Sequence, residues 1–310
     1  MKQLAPIAFK WLLLILFLHC LSLNSPAQNQ HKTDSIYALI SSAKPDTQLV
    51  NLYLELGYLF ENSRPDSSLS LIREALNLSR KLRSDIHIAK SIVSRAYVKN
   101  TTGQYEEALE DFKAALDIYK DLGDDENSLI CLQNIAVYHD WSENYDEASG
   151  YYRQIIDLSG ELGDSLTLAQ AYRSLGILQN NQGLFDKATN NYLAALRIYD
   201  KLNDRQGMAR CYNDLGIVEY DMQNLAEAIN YFQQSLEIKQ ELQDFKGVSN
   251  TYLNIGTIYK MQFAYDKSIE YTQKALKVFR EVNDSVGISA AYTNIGIAYV
   301  EQNQFKKAAE

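Results

Sequence analysis

The segment TYLNIGTIYK, residues 251–260, returns forty residues later as AYTNIGIAYV, residues 291–300, and forty residues earlier as CYNDLGIVEY, residues 211–220. One position of this segment is always small, and a large side chain stands four residues before it. The small residue recurs at the same spacing over most of the chain, as Ala96, Ala136, Gly176, Gly216, Gly256 and Gly296. Self-similarity at a fixed period of this length predicts an array of structural repeats.

Each repeat contains two stretches with apolar residues at i, i+3, i+4 and i+7, which is the spacing of an amphipathic helix. A short polar turn such as Asn181-Gln182-Gly183 separates them, so each repeat is predicted to be a helical hairpin. A small residue is needed where the two helices of a hairpin cross closely. An aspartate precedes each new hairpin, where its carboxylate can cap free backbone amides; these are Asp124, Asp164, Asp204, Asp244 and Asp284. The pattern therefore predicts an all-α chain.

The run Tyr252-x-x-Ile255-Gly256-x-x-Tyr259 resembles the signature of the tetratricopeptide repeat. The period of 40 is similar to the longer-helix variety found in kinesin light chains, in G-protein regulators of spindle orientation and in many bacterial signalling proteins. The resemblance covers about residues 46–310. It implies a superhelical solenoid of antiparallel helical hairpins, whose concave face holds extended peptides. The first repeat departs from the pattern, because Ser68 replaces a later alanine, as in a terminal capping repeat.

The N-terminus has the pattern of a secretory signal. Residues 11–23 are almost wholly apolar and too short for a membrane span of about 20 residues. Small residues at Ser25 and Ala27 offer a cleavage site. We therefore expect a signal peptide over residues 1–27 and an exported protein, located in the periplasm or at the extracytoplasmic face of the membrane.

The rest of the chain is predicted to be one helical segment, residues 28–45, followed by the array, residues 46–310. The array comprises about six full repeats and a truncated seventh. The last ten residues, EQNQFKKAAE, contain only a turn and the start of a second helix. A helix that short would leave its partner helix uncovered. We therefore expect the natural protein to continue, and the uncovered end of this chain to fray or to self-associate.

The charge of the chain limits its partners. It carries 30 basic and 39 acidic side chains, and removal of residues 1–27 deletes two lysines, which gives 28 − 39 = −11. Nucleic acid and anionic lipid both require clustered positive charge. We therefore expect no nucleic-acid partner, and membrane contact only through an anchor outside this chain or through an uncleaved signal.

No pattern of catalytic or metal-binding residues is visible. The four histidines form no His-x-x-His spacing and no nucleophile motif, and the glycines occur singly rather than in a phosphate-binding loop. Cys131 and Cys211 are two repeats apart, about 35 Å at roughly 9 Å per helix, so they are predicted to pack in the core rather than to form a disulfide. We expect no cofactor, no metal and no enzymatic activity in this chain.

The predicted binding surface is a ladder of polar residues on the first helix of each repeat. Related arrays place an asparagine two residues before the small residue, where its amide holds the backbone of a bound peptide. Here that position is held by Asn134, Ser174, Asp214, Asn254 and Asn294, and an apolar residue follows the small residue in most repeats. Arg173 and Arg210 add positive charge. The predicted peptide-binding residues are Asn134, Arg173, Arg210, Asp214, Asn254 and Asn294; the alternative is a solvated helix surface. The Lys/Asn pairs of the chaperone-tail carboxylate clamp are missing, so we exclude that ligand.

Two functions fit these expectations. The first is the extracytoplasmic sensor part of a bacterial membrane signalling protein, with a histidine kinase, nucleotide cyclase or DNA-binding output beyond residue 310. It is favoured by the resemblance of residues 34–60, DSIYALISSAKPDTQLVNLYLELGYLF, to the start of such receptors. The alternative is a free-standing exported adaptor or assembly scaffold with no output domain. Both assign protein or peptide binding to the concave face.

Overall fold

The structure is a computed structural model that describes residues 26–309, with side chains from residue 30 onward. The predicted signal peptide, residues 1–27, lies outside the described residues except for its last two positions. The chain divides into two compact units between Tyr138 and His139. Across the described residues, all regular structure is helical and no strand is present. The all-α prediction is therefore confirmed.

The first unit begins with a single helix, which is followed by paired helices. Its helices are α1 Pro26–Ser42, α2 Thr47–Phe60, α3 Pro65–Lys81, α4 Asp85–Thr101, α5 Tyr105–Leu122 and α6 Asp125–Trp141, and the division between the units falls near the end of α6. Helix α2 packs against α3, and α4 packs against α5. At the variant position of the first hairpin, the Ser68 hydroxyl donates a hydrogen bond of 2.7 Å to the Gly57 carbonyl. This bond joins α3 to α2 directly.

The second unit continues the same pattern from His139 onward. Its helices are α7 Tyr145–Leu162, α8 Ser165–Asn181, α9 Phe185–Lys201, α10 Arg205–Asp221, α11 Leu225–Glu241, α12 Phe245–Met261, α13 Tyr265–Glu281, α14 Ser285–Glu301 and α15 Phe305–Ala309. The pairs α8–α9, α10–α11 and α12–α13 pack as antiparallel hairpins. Below, even-numbered helices from α2 onward are called first helices, and their following partners are called second helices.

An aspartate caps the first helix of each hairpin from α6 onward. The Asp164 carboxylate accepts a hydrogen bond of 3.1 Å from the Thr167 amide, and Asp204 accepts one of 2.9 Å from Gly207. The same contact is made to the residue three positions later by Asp124, Asp244 and Asp284. The capping prediction is therefore confirmed at all five aspartates.

The small residue of each repeat lies where the second helix crosses the first. A Cβ atom added to Gly176 would lie 2.7 Å from the Tyr192 ring, and one added to Gly216 would lie 2.8 Å from the Phe232 ring. Non-bonded carbon atoms do not approach this closely, because they repel each other strongly at distances well below their optimal separation of about 3.5–4.0 Å. The absence of a side chain therefore allows the aromatic ring to fill the crossing.

Six hairpin turns place one residue in the left-handed backbone region. Glycine occupies this position in two turns, as Gly103 and Gly183, and the others hold Glu143, Gln223, Phe263 and Asn303. Glycine and asparagine adopt this conformation most readily, whereas a bulky side chain is an outlier. Phe263, at a φ of 60°, is the bulkiest residue in the series.

Cys131 and Cys211 are both fully buried and neither forms a disulfide. Burial raises the pKa of each thiol to about 12. Their prediction as core-packing residues is confirmed.

Candidate functional site

The predicted binding residues lie on the first helices, which adjoin one another across successive hairpins of the second unit. Arg173 on α8 contacts Asp214 on α10, and the Asn180 side chain donates a hydrogen bond of 3.2 Å to Asp221 on the same pair of helices. We call this surface of the second unit the first-helix face. It carries Arg173, Arg210, Asp214, Asn254 and Asn294, whereas Asn134 belongs to the first unit.

Arg173 and Asp214 form a close ion pair on this face. The Arg173 Nε donates to Asp214 Oδ2 at 2.6 Å, and the side chains keep 26% and 10% of their surfaces exposed. Burial raises the pKa of Asp214, and the positive charge of Arg173 counteracts this shift. The structure therefore brings two of the predicted residues together, with Asp214 beneath Arg173.

A second buried cation, Lys239 on α11, lies close to this pair. Its Nζ donates to the Asn213 side chain at 3.2 Å and to the Thr251 hydroxyl at 2.9 Å, and only 8% of the residue is exposed. Burial lowers the pKa of Lys239, while the carboxylates of Asp244 and Asp214 oppose that shift. This network ties together α10, α11 and α12 directly beneath the first-helix face.

Lys239 was not predicted from the sequence, although its position within the repeat gives an indication of its role. The equivalent positions of the other hairpins hold buried residues of a different kind, namely Ser79, Tyr119, Ser159, Tyr199 and Phe279. A lysine in such a series is a charge at a core position, and buried charges require polar partners. The phase therefore indicated a buried polar network, but not which partners it would contain.

The three asparagines of the predicted ladder differ in how many hydrogen bonds their side chains make within the protein. In the first unit, the Asn134 amide donates to the Ile130 carbonyl at 2.8 Å and to the Tyr97 hydroxyl at 3.3 Å. Asn254 and Asn294 are half-buried, and neither side chain makes a hydrogen bond to another described residue. These two amides keep donors and acceptors for another molecule.

Arg210 is exposed on α10, one helical turn before Asp214. The apolar position that follows the small residue is partly open to solvent, as at Ile217 and Ile297 in the second unit. The first-helix face thus combines guanidinium and amide groups with apolar side chains. Such a surface can hold the backbone and the side chains of an extended segment, since backbone groups require both donors and acceptors.

The described part of the chain shows no arrangement suited to metal chemistry. None of its histidine, cysteine, aspartate and glutamate side chains gather in groups of three or more that could hold a metal ion. Among the same residues, no helix is both long enough and apolar enough to cross a membrane.

The sequence matches a family model, and the fold matches solved structures. The family model described as tetratricopeptide repeat matches residues 87–161, 167–241 and 247–310, which together exceed half of the chain. No curated protein matches the sequence of this chain.

Three solved structures share the fold at low identity. BtubC (BKLC) from P. vanneervenii aligns with a TM-score of 0.62 and 21% identity, over 72% of this chain and 93% of that one. The apo form of RapI aligns with a TM-score of 0.60 and 17% identity, over 83% of this chain and 99% of that one. The apo form of the quorum sensor NprR from B. thuringiensis aligns with a TM-score of 0.65 and 15% identity, over 90% of this chain and 78% of that one.

Proposed function

This chain belongs to the tetratricopeptide repeat family, and we propose that it is a non-catalytic scaffold that binds an extended protein or peptide segment on the first-helix face. The single observation that carries this proposal is the ion pair between Arg173 and Asp214. The buried Asp214 carboxylate holds the Arg173 guanidinium in place on a face that otherwise carries amides and apolar side chains. The guanidinium is therefore a prearranged hydrogen-bond donor for a ligand.

The geometry of Arg173 explains how it would bind. Only Nε is used by Asp214, and neither Nη atom makes a hydrogen bond to a described residue. The free Nη edge can therefore donate to a carbonyl or a carboxylate of the ligand. Because Asp214 already holds the side chain, little rotamer freedom remains to be lost on binding.

The amides of Asn254 and Asn294 would contact the ligand backbone further along the same unit, and Arg210 would add a second positive group beside Arg173. In the first unit, Asn134 would offer only its amide oxygen, because its amide nitrogen already donates to Ile130 and Tyr97. The amides of two successive repeats, Asn254 and Asn294, suit a ligand in extended conformation, since such a ligand presents unpaired backbone groups at regular intervals.

We place this binding in the extracytoplasmic sensor part of a bacterial membrane signalling protein, with the output domain beyond residue 310. Two observations support this role. The N-terminal sequence has the pattern of a secretory signal. The NprR structure, which shares the fold, is that of a quorum sensor. An exported adaptor without an output domain is the alternative outcome, and the reading frame beyond residue 310 distinguishes the two.

The binding proposal is tested by selecting peptides from a random-sequence display library on the purified protein and measuring the affinity of the enriched peptides by fluorescence anisotropy. Arg173→Gln should weaken binding about 10-fold or more, as expected for loss of a hydrogen bond to a charged group. The matched control is Arg197→Gln, because Arg197 is an exposed arginine on the second helix α9. Failure to enrich any peptide, or equal affinity of both variants and the wild type, would contradict the proposed function.

A further inference from the structure

The hairpin turns of the second unit form an edge with an unusual pattern of exposed side chains. We call the turns 142–144, 182–184, 222–224 and 262–264, with their flanking residues, the turn edge. Neighbouring turns adjoin, as the hydrogen bond between Asn180 and Asp221 shows. Every one of these four turns exposes a large apolar residue, namely Trp141, Leu184, Met222 and Phe263.

The two outermost apolar residues are aromatic and the most exposed of the four. Trp141 keeps 70% of its surface accessible and Phe263 keeps 78%. Phe263 also occupies the left-handed backbone position at which two other turns have glycine. The same residue therefore combines an unfavourable backbone conformation with an exposed ring. The Tyr265 ring meets it edge to face at 6.3 Å, which restricts the orientation of the Phe263 ring. Exposed, preoriented aromatic residues are the usual anchors of protein interfaces.

A charged residue stands on the first turn of each second helix along this edge, always at the same phase of the repeat. In chain order these residues are Glu147, Lys187, Glu227 and Lys267. All four are exposed, and none forms an ion pair with another described residue. Side chains in this position lean toward the turn, because the Cα–Cβ bond of a helical residue tilts toward the N-terminus of the helix.

The alternation of these charges is self-complementary. When two copies of the edge meet in antiparallel fashion about a twofold axis between the second and third turns, Glu147 faces Lys267 of the other copy and Lys187 faces Glu227. The four charges at this phase of the repeat are then matched; the exposed aspartates one residue earlier, Asp146, Asp186 and Asp266, are not part of this pairing. An axis through the second or the third turn, or a parallel in-register pairing, brings like charges together instead. Lys307 in the following turn lies outside this set.

The same register pairs the turns that carry the exposed apolar residues, which stand at four different positions of their turns. The turn of Trp141 then lies opposite the turn of Phe263 in the other copy, and the turn of Leu184 lies opposite that of Met222. Exposed ion pairs add little affinity but select partner and register, whereas buried aromatic anchors supply most of the binding energy. A twofold arrangement closes on itself and makes a discrete dimer rather than a fibre.

We propose that this protein forms a twofold-symmetric dimer through the turn edge of its second unit, with Phe263 and Trp141 as anchors and the Glu147–Lys267 and Lys187–Glu227 pairs setting the register. This surface is distinct from the first-helix face, so the dimer does not depend on the proposed peptide binding. Both surfaces can be occupied at once, because the turn edge lies at the ends of the first helices and the peptide contacts lie along their length.

The test is a charge exchange followed by sedimentation velocity and size-exclusion chromatography with light scattering. The wild-type protein should be a dimer at a concentration of about 0.1 mM. Lys267→Glu and Glu147→Lys should each be monomeric alone, because each places like charges opposite one another. An equimolar mixture of the two variants should recover the dimer. The matched control is Lys246→Glu, which makes the same charge change at an exposed residue at the other end of α12.

A second variant separates loss of association from loss of folding. Phe263→Gly should abolish the dimer while leaving the melting temperature of the monomer unchanged or higher, since glycine fits the left-handed turn. A monomeric wild type at about 0.1 mM would overturn the proposal. So would a mixture of the two charge variants that stays monomeric, or a Lys246→Glu variant that dissociates the dimer as fully as Lys267→Glu.

Discussion

Arg95 and Asp111 form a two-pronged ion pair between α4 and α5, with Nε to Oδ2 at 2.8 Å and Nη2 to Oδ1 at 2.7 Å. Lys99 approaches the same carboxylate at 3.0 Å. The position of Arg95 is apolar in the other hairpins, where it holds Ile135, Leu175, Leu215 and Ile255, and the position of Asp111 holds Tyr151, Asn191, Tyr231 and Tyr271. In two other hairpins the equivalent residues belong to one apolar cluster, Leu215 with Tyr231 and Ile255 with Tyr271, so this hairpin of the first unit has a charged contact where those two have an apolar one.

This replacement predicts strong coupling between the two positions. Arg95→Leu alone should destabilise α4 and α5 by about 1–3 kcal/mol, because Asp111 is buried and retains only Lys99. The double variant Arg95→Leu/Asp111→Tyr should return to within about 1 kcal/mol of the wild type, since well-packed apolar residues commonly replace a buried ion pair without loss. Hydrogen exchange of the α4 and α5 amides measures both effects. Additive effects of Arg95→Leu and Asp111→Tyr would show that the two residues act independently.

Gly256→Leu should force α12 and α13 apart. A Cβ atom at this position would lie 2.8 Å from the Thr272 hydroxyl oxygen and 3.3 Å from the Ser268 carbonyl oxygen. We expect a loss of about 1–3 kcal/mol or more. Hydrogen exchange should rise most in α10 to α14, because each hairpin contacts only its neighbours.

The control for this substitution is Gly150→Leu on α7. No atom lies within 4 Å of a Cβ placed there, so the variant should be as stable as the wild type or more stable, in keeping with the helix propensity of leucine over glycine. If Gly150→Leu lost as much hydrogen-exchange protection as Gly256→Leu, the assignment of Gly256 to a helix crossing would be contradicted.

Lys239 should make the stability of the second unit depend on pH in the alkaline range. Because burial lowers the pKa of this amine from 10.5, the unfolded chain binds more protons than the folded chain just below pH 10.5. The free energy of unfolding contributed by this group therefore rises with pH in that window and is constant at lower pH. Lys239→Met should remove this rise, and the wild type minus variant difference isolates it from tyrosine ionisation. The exposed Lys277→Met is the control, and an equal pH response of the two variants would refute the prediction.

Cys131 and Cys211 should be unreactive toward a disulfide reagent such as DTNB in the native protein at neutral or mildly alkaline pH. The thiolate is the reacting form, and burial raises the pKa of both thiols to about 12. After denaturation both should react fully. Fast reaction of either thiol in the folded protein would show that its helix crossing opens.

The predicted export depends on residues outside the described part of the chain. A fusion of residues 1–40 to a reporter that is active only outside the cytoplasm should give signal, and the mature protein should begin near Gln28. A third reactive thiol in the denatured protein would show that Cys20 is retained and the signal is uncleaved. Retention of the fusion in the cytoplasm would remove the sensor role.

The repeat phase was sufficient to predict the hairpins, their aspartate caps and the glycines at the helix crossings. These features depend on which face of a helix meets its neighbour, and that is what periodicity encodes. The contact of Gly176 with Tyr192 follows directly from two positions of the repeat.

Pairs between different helices could not be predicted in the same way. The link from Arg173 to Asp214 joins residues 41 positions apart and depends on the rotamer of a long side chain, which the repeat phase does not specify. Lys239 contacts residues on two other helices, and its partners are polar groups that also occur at many exposed sites. The candidate face was therefore predicted residue by residue, but the burial of Asp214 beneath Arg173 was not.

The aspartate caps have an evolutionary consequence. Asp204, Asp244 and Asp284 each accept a hydrogen bond of 2.9 Å from a glycine three residues later, so the helix caps at successive junctions of the second unit are chemically alike. A genetic duplication or deletion that begins and ends at two of these codons changes the number of hairpins and preserves the aspartate cap at the new junction. Unequal recombination at these codons would therefore lengthen or shorten the array in steps of one hairpin, with the first helix after each junction still capped.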